Sequence, residues 1–191
     1  VVFVPIARTD DERASVLEAV DRLAKALVDA DIRVHVDKRD YQPGFKFNDW
    51  EMRGVPVRLE VGPRDVAAGT AVAARRDIPG KEGKRVLQQE GLVLQVKGLL
   101  DEIQANMLAQ AINLRESRTF DAANYDEFRQ IIEAGNFARA WWSEDSQLEE
   151  RIKAETGASH RNYPLDQPGG QGPNVLTGEP ADRIAIFAKA Y

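Results

Sequence analysis

Between Pro43 and Asp65 the chain sets cations, carboxylates and flat rings at intervals suited to holding a nucleic-acid base. Gly44 to Arg53, bounded by the Pro43-Gly44 breaker and by Gly54, fit a short helix on which Lys46, Trp50 and Arg53 share one face. A cation, a ring and a second cation therefore line up. Beyond Gly54, Val55, Val57, Leu59 and Val61 alternate with Pro56, Arg58 and Glu60, the period of a strand with one buried face. Arg58 and Glu60 then point together, away from the core. Gly62-Pro63-Arg64-Asp65 turns the chain into a further helical turn, with Pro63 suited to its first position, and is expected to leave Arg64 beside Arg58 at the strand's end. Single-stranded RNA is read by stacking its bases on aromatic or guanidinium planes and by hydrogen-bonding their edges. A guanine offers N1–H and N2–H donors to a carboxylate such as Glu60 or Glu51, and O6 and N7 acceptors to an arginine fork. Spacing alone equally allows Trp50 and the neighbouring Phe residues to be core, with the charges on a solvated helix face.

Strands alternating with helices position this segment. Val1 to Ile6 is an apolar strand, and 10–29 carries Val16, Val20, Leu23 and Leu27 at helical spacing with acidic residues in its first turn. A strand at 32–36 precedes the segment, and strands at 70–75 and 85–88 follow it, separated by the Pro79–Gly83 loop. Leu92, Val96, Leu99, Leu100, Ile103, Met107 and Ile112 mark a long amphipathic helix, expected to pack on the sheet rather than on a coiled-coil partner. The pattern implies a layered α/β domain with a mixed sheet. It changes at 118–124, which predicts a boundary between domains 1–118 and 119–191. The second domain reads as helix 125–133, strand 137–142, helix 147–155, strand 160–163 and strand 184–189, with a flexible loop at 167–173. There is no internal repeat.

Other features have plainer readings. The glycine-rich loop lacks the Gly-Lys-Ser/Thr ending and the strand-to-helix setting of a phosphate-binding loop. His35 and His160 have no acid or hydroxyl at a spacing that would make a catalytic triad, so no catalytic residue is assigned. Of the adjacent pair Trp141 and Trp142 on a strand, one is expected in the core and the other over a helix or an interface.

The 191 residues, 43% of them apolar, suffice for one good core or two modest ones. No apolar run approaches the roughly 18 to 20 residues needed to cross a bilayer, and no signal-peptide layout appears, which points to a cytoplasmic protein without membrane partners. The absence of cysteine excludes disulfides and thiolate metal sites. A net charge of −5 argues against indiscriminate coating of nucleic acid. Its distribution is uneven: residues 33–97 carry thirteen Lys and Arg against nine Asp and Glu, whereas 98–191 carry nine against fifteen. The candidate RNA surface lies in the basic part.

The run Asp37-Lys-Arg39, then Tyr41 to Glu51 and Arg53 to Asp65, resembles the anticodon-binding domain of prolyl-tRNA synthetases of the archaeal and eukaryote-like form. Ala140-Trp-Trp142, Glu149 to Lys153, Glu155-Thr-Gly157 and Phe187 to Tyr191 are similar to the C-terminal domain of the same family, so the resemblance covers nearly the whole chain. It implies a mixed-sheet class II synthetase anticodon-binding domain followed by a small α+β domain. It further implies a homodimeric parent enzyme that joins proline to tRNA(Pro), using ATP and Mg2+ bound in a catalytic domain. Proline tRNAs share guanines at the second and third anticodon positions, which suits Arg39, Lys46, Trp50, Glu51, Arg58, Glu60 and Arg64 as the reading set. Family likeness also points the terminal Tyr191 toward the catalytic domain.

Two departures qualify the resemblance. Many members hold zinc through four cysteines, whose places here fall on Ser143, Leu148, Asn174 and Thr177. None supplies a thiolate, so no zinc is expected, packing must hold the domain, and the loop beside Asn174 is expected to be loose. The sequence also opens at Val1 within a strand and contains nothing like the ATP-binding motifs of a class II synthetase. It is therefore expected to be a C-terminal fragment that binds tRNA weakly and forms no adenylate. A stand-alone RNA-binding or regulatory module built on the same domain is the alternative.

Overall fold

The structure is a computed structural model describing residues 1–189, divided into two compact units, Val1–Gln110 and Ala111–Tyr191. The first unit opens with β1 (Val2–Pro5) and α1 (Asp10–Asp29), whose N-terminus is capped where the Thr9 hydroxyl accepts from the Glu12 N–H at 3.2 Å. Then come β2 (His35–Val36), α2 (Pro43–Met52), β3 (Val57–Val61), α3 (Pro63–Ala68), β4 (Thr70–Arg75), β5 (Lys84–Gln88) and α4 (Leu92–Ser117). The strands form one sheet in the order β2-β1-β3-β4-β5, parallel among the first three and antiparallel thereafter. This is the mixed sheet expected from the alternating pattern.

The sheet buries its two faces differently. Val57, Leu59 and Val61 join Val16, Val20 and Leu27 of α1 and Leu92, Val96, Leu99 and Ile103 of α4 in one apolar core. The alternate residues of β3, Arg58 and Glu60, stand in register with Val2 and Val4 of β1 on the opposite face, toward α2. All five residues of β3 are buried, so the face expected to be open is covered as well.

Two other elements differ from their expected form. The strand at 32–36 shrinks to two residues because the Ile32 N–H turns back to the Leu27 carbonyl at 3.0 Å, which ties Ile32 to the end of α1. α4 runs to Ser117, five residues past the last periodic position. It contributes to the core only as far as Ile103, while Met107 is exposed. Arg75 fixes α4 to β4 by reaching Asp77 at 2.7 Å and Glu102 at 2.8 Å, and Asn106 donates to Asp77 at 2.6 Å. The division between the units falls within this helix rather than at residue 118.

The second unit adds β6 (Thr119–Asp121), α5 (Tyr125–Glu133), β7 (Phe137–Trp142), α6 (Ser146–Thr156), β8 (Ala158–Asn162), β9 (Gly172–Pro173), β10 (Pro180–Ala181) and β11 (Arg183–Lys189). Four strands make a sheet in the order β6-β7-β11-β8, and β9 pairs with β10. Phe187 lies edge-on to Phe128 and Trp142, with ring centroids 5.2 and 5.1 Å apart, at the centre of the core. Trp142 is the core member of the tryptophan pair and Trp141 is half-buried. The loop expected at 167–173 ends in β9. There a Cβ on Gly172 would come 2.2 Å from the Trp141 indole nitrogen, so this close approach requires glycine.

Candidate nucleic-acid interface

α2 begins at Pro43, whose fixed φ suits a first helical position, and gives way to Gly54, which holds a left-handed φ of 72°. The loop before it carries Asp37, a fully buried carboxylate that the sequence reading did not single out. Asp37 accepts from Arg39 Nε at 2.9 Å and Nη2 at 2.8 Å, from the Arg39 backbone N–H at 3.1 Å and from Trp50 Nε1 at 2.8 Å. The Arg39 side chain, above all, holds this carboxyl well below the usual carboxylate range, against the opposing effect of burial. Arg39 also reaches Asp49 at 2.7 Å, and its two carboxylate partners raise its own pKa.

Lys46, Trp50 and Arg53 do share a face of α2, but that face looks onto Asp37. Lys46 is buried, with Nζ 3.3 Å from the Asp37 carbonyl, and desolvation lowers its pKa. The Trp50 ring lies 4.9 Å from the His35 ring, with the Arg53 and Arg39 guanidinium carbons 5.0 and 5.7 Å from its centroid. Arg39, Lys46 and Trp50 thus brace α2 against the end of β2. Helical spacing groups side chains without revealing which side of the helix faces inward.

A second cluster lies on the α2 side of the sheet. The Arg58 guanidinium is centred 4.1 Å from the Phe47 ring centroid, donates to Glu51 at 2.8 Å and to Glu60 at 3.1 Å, and also meets the Phe47 carbonyl at 3.4 Å. Glu60 is held from its other side by Lys84 of β5 at 2.8 Å. Arg58 and Glu60 are over 90% buried, whereas the Glu51 side chain is 62% exposed and the Lys84 side chain 37%. Only one Glu51 oxygen accepts a bond from the described residues, which leaves the other open to a donor. The depression beside Trp50, Glu51 and Arg58 is about 20 Å³, far too small to take in a base, so a base would have to lie over this cluster. Phe47 and Lys84 complete the cluster. Phe47, three residues before Trp50, was read only as a possible core residue, and Lys84, across the sheet from Glu60, carried no local signal.

Arg64 is exposed on α3 and makes no bond to the described residues, whereas Arg58 is buried within β3. Tyr191 lies outside the described residues.

The four positions matched to metal-binding cysteines do not fit zinc. Asn174 is buried, its Nδ2 donates to Ser143 Oγ at 3.2 Å, and its Oδ1 accepts from the backbone N–H groups of Leu176 and Thr177 at 2.9 and 3.2 Å. Leu148 packs against the apolar core. An amide, two hydroxyls and a leucine offer no charged donor set for the ion. The stretch expected to be loose is instead a turn organised by Asn174. Among the described residues there is no group of three or more His, Asp or Glu that could hold a metal.

Comparison with known proteins agrees with this layout. A family model described as the anticodon binding domain matches residues 1–105, and one described as the C-terminal domain of prolyl-tRNA synthetase matches residues 125–191. The chain is 50% identical over 192 residues to a proline–tRNA ligase of Chloroflexus aggregans. It is 44% identical over 195 residues to the chloroplastic/mitochondrial proline–tRNA ligase of Arabidopsis thaliana and 40% identical over 192 to a proline–tRNA ligase of Cenarchaeum symbiosum. Each match covers 100% of this chain but only 40%, 36% and 39% of the respective relative, so the chain spans about two fifths of their length.

Proposed function

The chain belongs to the prolyl-tRNA synthetase family, with an anticodon-binding domain at residues 1–105, and we propose that it is the tRNA-selecting portion of a proline–tRNA ligase. The observation that carries this is the Arg58 guanidinium laid on Phe47 with one oxygen of Glu51 open beside it. In this reading Glu51 accepts from the N1–H and N2–H groups of an anticodon guanine. Arg58 holds Glu51 in place for that contact, with Glu60 anchoring Arg58 from below. Lys84 and Arg64 meet phosphates, and Asp37, Arg39, Lys46 and Trp50 keep α2 rigid.

No residue of this chain takes part in adenylate formation. Proline, ATP and Mg2+ would bind in the remainder of a cytoplasmic, homodimeric enzyme, and the second unit folds without zinc. No helix among the described residues is long and apolar enough to cross a membrane.

Binding of a proline-tRNA anticodon stem-loop, compared with one in which the two guanines are replaced, tests the reading. The chain is expected to prefer the guanines, and Glu51→Ala or Arg58→Ala to erode the preference by about 1–3 kcal/mol per lost base contact. Equal binding of both RNAs by the unaltered chain would overturn it.

A further inference from the structure

The first unit holds a crevice that the anticodon reading leaves unused. β1 passes the chain to α1 on the face bearing the apolar core, while the adjacent parallel strand β2 passes it to α2 on the opposite face. The two connections leave the carboxyl ends of these neighbouring strands toward opposite faces and open a cleft between them. Here the cleft is about 370 Å³, walled by Pro5 and Ala7 after β1 and by Tyr41 and Gln42 before α2, with Arg13 and Lys46 reaching in. That is ample room for a tetrahedral oxyanion and several waters.

Lys46 is only 4% exposed, yet of its three N–H bonds one goes to the Asp37 carbonyl at 3.3 Å and two have no partner among the described residues. A desolvated ammonium calls for charge-assisted acceptors. The Asp37 carboxylate does not serve, because its oxygens are occupied by Arg39 and Trp50. The other charges facing the cleft leave a positive balance within it. Arg13 donates to the Lys38 carbonyl at 2.9 Å and lies 3.9 Å from Asp40, whose side chain is fully solvated and so compensates it weakly. Lys38 is drawn away to Asp21 at 2.9 Å.

We propose that this crevice is a phosphate-binding site in which Lys46 donates its two remaining hydrogen bonds and Arg13 closes over the mouth. The phosphate comes either from the backbone of a bound RNA or from a free phosphate or its ester, and the chemistry recognised is the same.

Inorganic phosphate titrated into the isotopically labelled 191-residue chain at constant ionic strength is the probe. Saturable shifts are expected at the amides of Ala7, Gln42 and Lys46. Lys46→Met, which keeps the apolar stem, is expected to weaken binding at least tenfold, whereas Lys25→Met, on the exposed surface of α1, leaves it unchanged. An RNA stem-loop that displaces the phosphate identifies a backbone group as the source. One that binds without displacing it identifies the free anion, and both results uphold the site. Shifts that fail to saturate, or that persist equally in Lys46→Met, overturn it. Should that variant not fold, Arg13→Gln is expected to weaken phosphate binding several-fold, and unchanged affinity would overturn the site equally. Because phosphate alone is the probe, the outcome is independent of whether Glu51 and Arg58 read guanine.

Discussion

The two units bury different chemistry. Five charged side chains, Asp37, Lys46, Arg58, Glu60 and Arg75, are buried in the first, whereas Asn174 is the one buried polar residue of the second among those described. Buried ion pairs seldom stabilise a fold more than apolar residues of the same shape would, because desolvation offsets their attraction. Edge-to-face aromatic packing around Phe187 holds the second unit without that cost. The difference teaches that the charges of the first unit are kept for position. Three of them orient neighbours toward the surface: Asp37 orients Arg39 and Trp50, and Glu60 orients Arg58, which in turn orients the exposed Glu51.

The sharpest way to break this contrast is to delete a carboxylate. Asp37→Ala removes the acceptor of four hydrogen bonds, leaving the Trp50 N–H without a partner and Arg39 with Asp49 as its one carboxylate. Removing one partner of a buried ionic cluster costs about 3–5 kcal/mol. Urea unfolding followed by amide signals assigned to each unit should show the first unit's transition moving to lower denaturant, with the second unit's unmoved. A loss below about 1 kcal/mol would mean that the buried charges do not hold α2 in place.

Acid sharpens the same contrast by a smaller amount. Asp37 has its folded pKa depressed well below the usual range, and Asp77 is lowered to about 2 from 3.8, chiefly by Arg75. A depressed carboxylate contributes stability that is fully present above its unfolded pKa and drains away as pH falls toward the folded one. The first unit should therefore lose stability progressively from about pH 4 down toward pH 2. In the second unit the lowered carboxyls, Asp121 and Glu155, are solvent-exposed and contribute less. Amide exchange at pH 3 should accordingly rise in the first unit before the second. The reverse order would contradict the assignment of buried charge to the first unit.

How much of this was legible depended on length and periodicity. α1, β4, α5 and β7 lie at the residues their spacing predicts, because each is long enough for a period of 3.6 or 2 to be read. β6, β9 and β10 are two or three residues long and contain Thr, Asp, Gly or Pro, which read as turn chemistry when the pairing partner is distant. The interface was legible as residue types and spacings but not as directions. Lys46 and Arg58 belong to polar faces of short elements, and only the packing of α2 over β1 and β3 turns those faces inward. Asp37 gave no sign of its burial because Trp50, thirteen residues on, meets it only through the fold.

The smallest effect concerns the turn from Asn174 to Thr177. Asn174→Ala removes three side-chain hydrogen bonds from a buried turn and should cost the second unit about 1–3 kcal/mol, with Ser143→Ala at the lower end of that range because it breaks only the 3.2 Å bond. If amide and hydroxyl bonds alone hold the turn, chelator should leave the second unit's melting temperature unchanged in the unaltered chain and in both variants alike. A metal-held turn behaves otherwise, since binding free energy is then folding free energy and chelation unfolds the unit. A drop in melting temperature with chelator that is absent from Asn174→Ala would place an ion at Asn174. The polar economy of the second unit would then rest on a bound cation, and the contrast with the first would lie in where charge is supplied rather than in how much is buried.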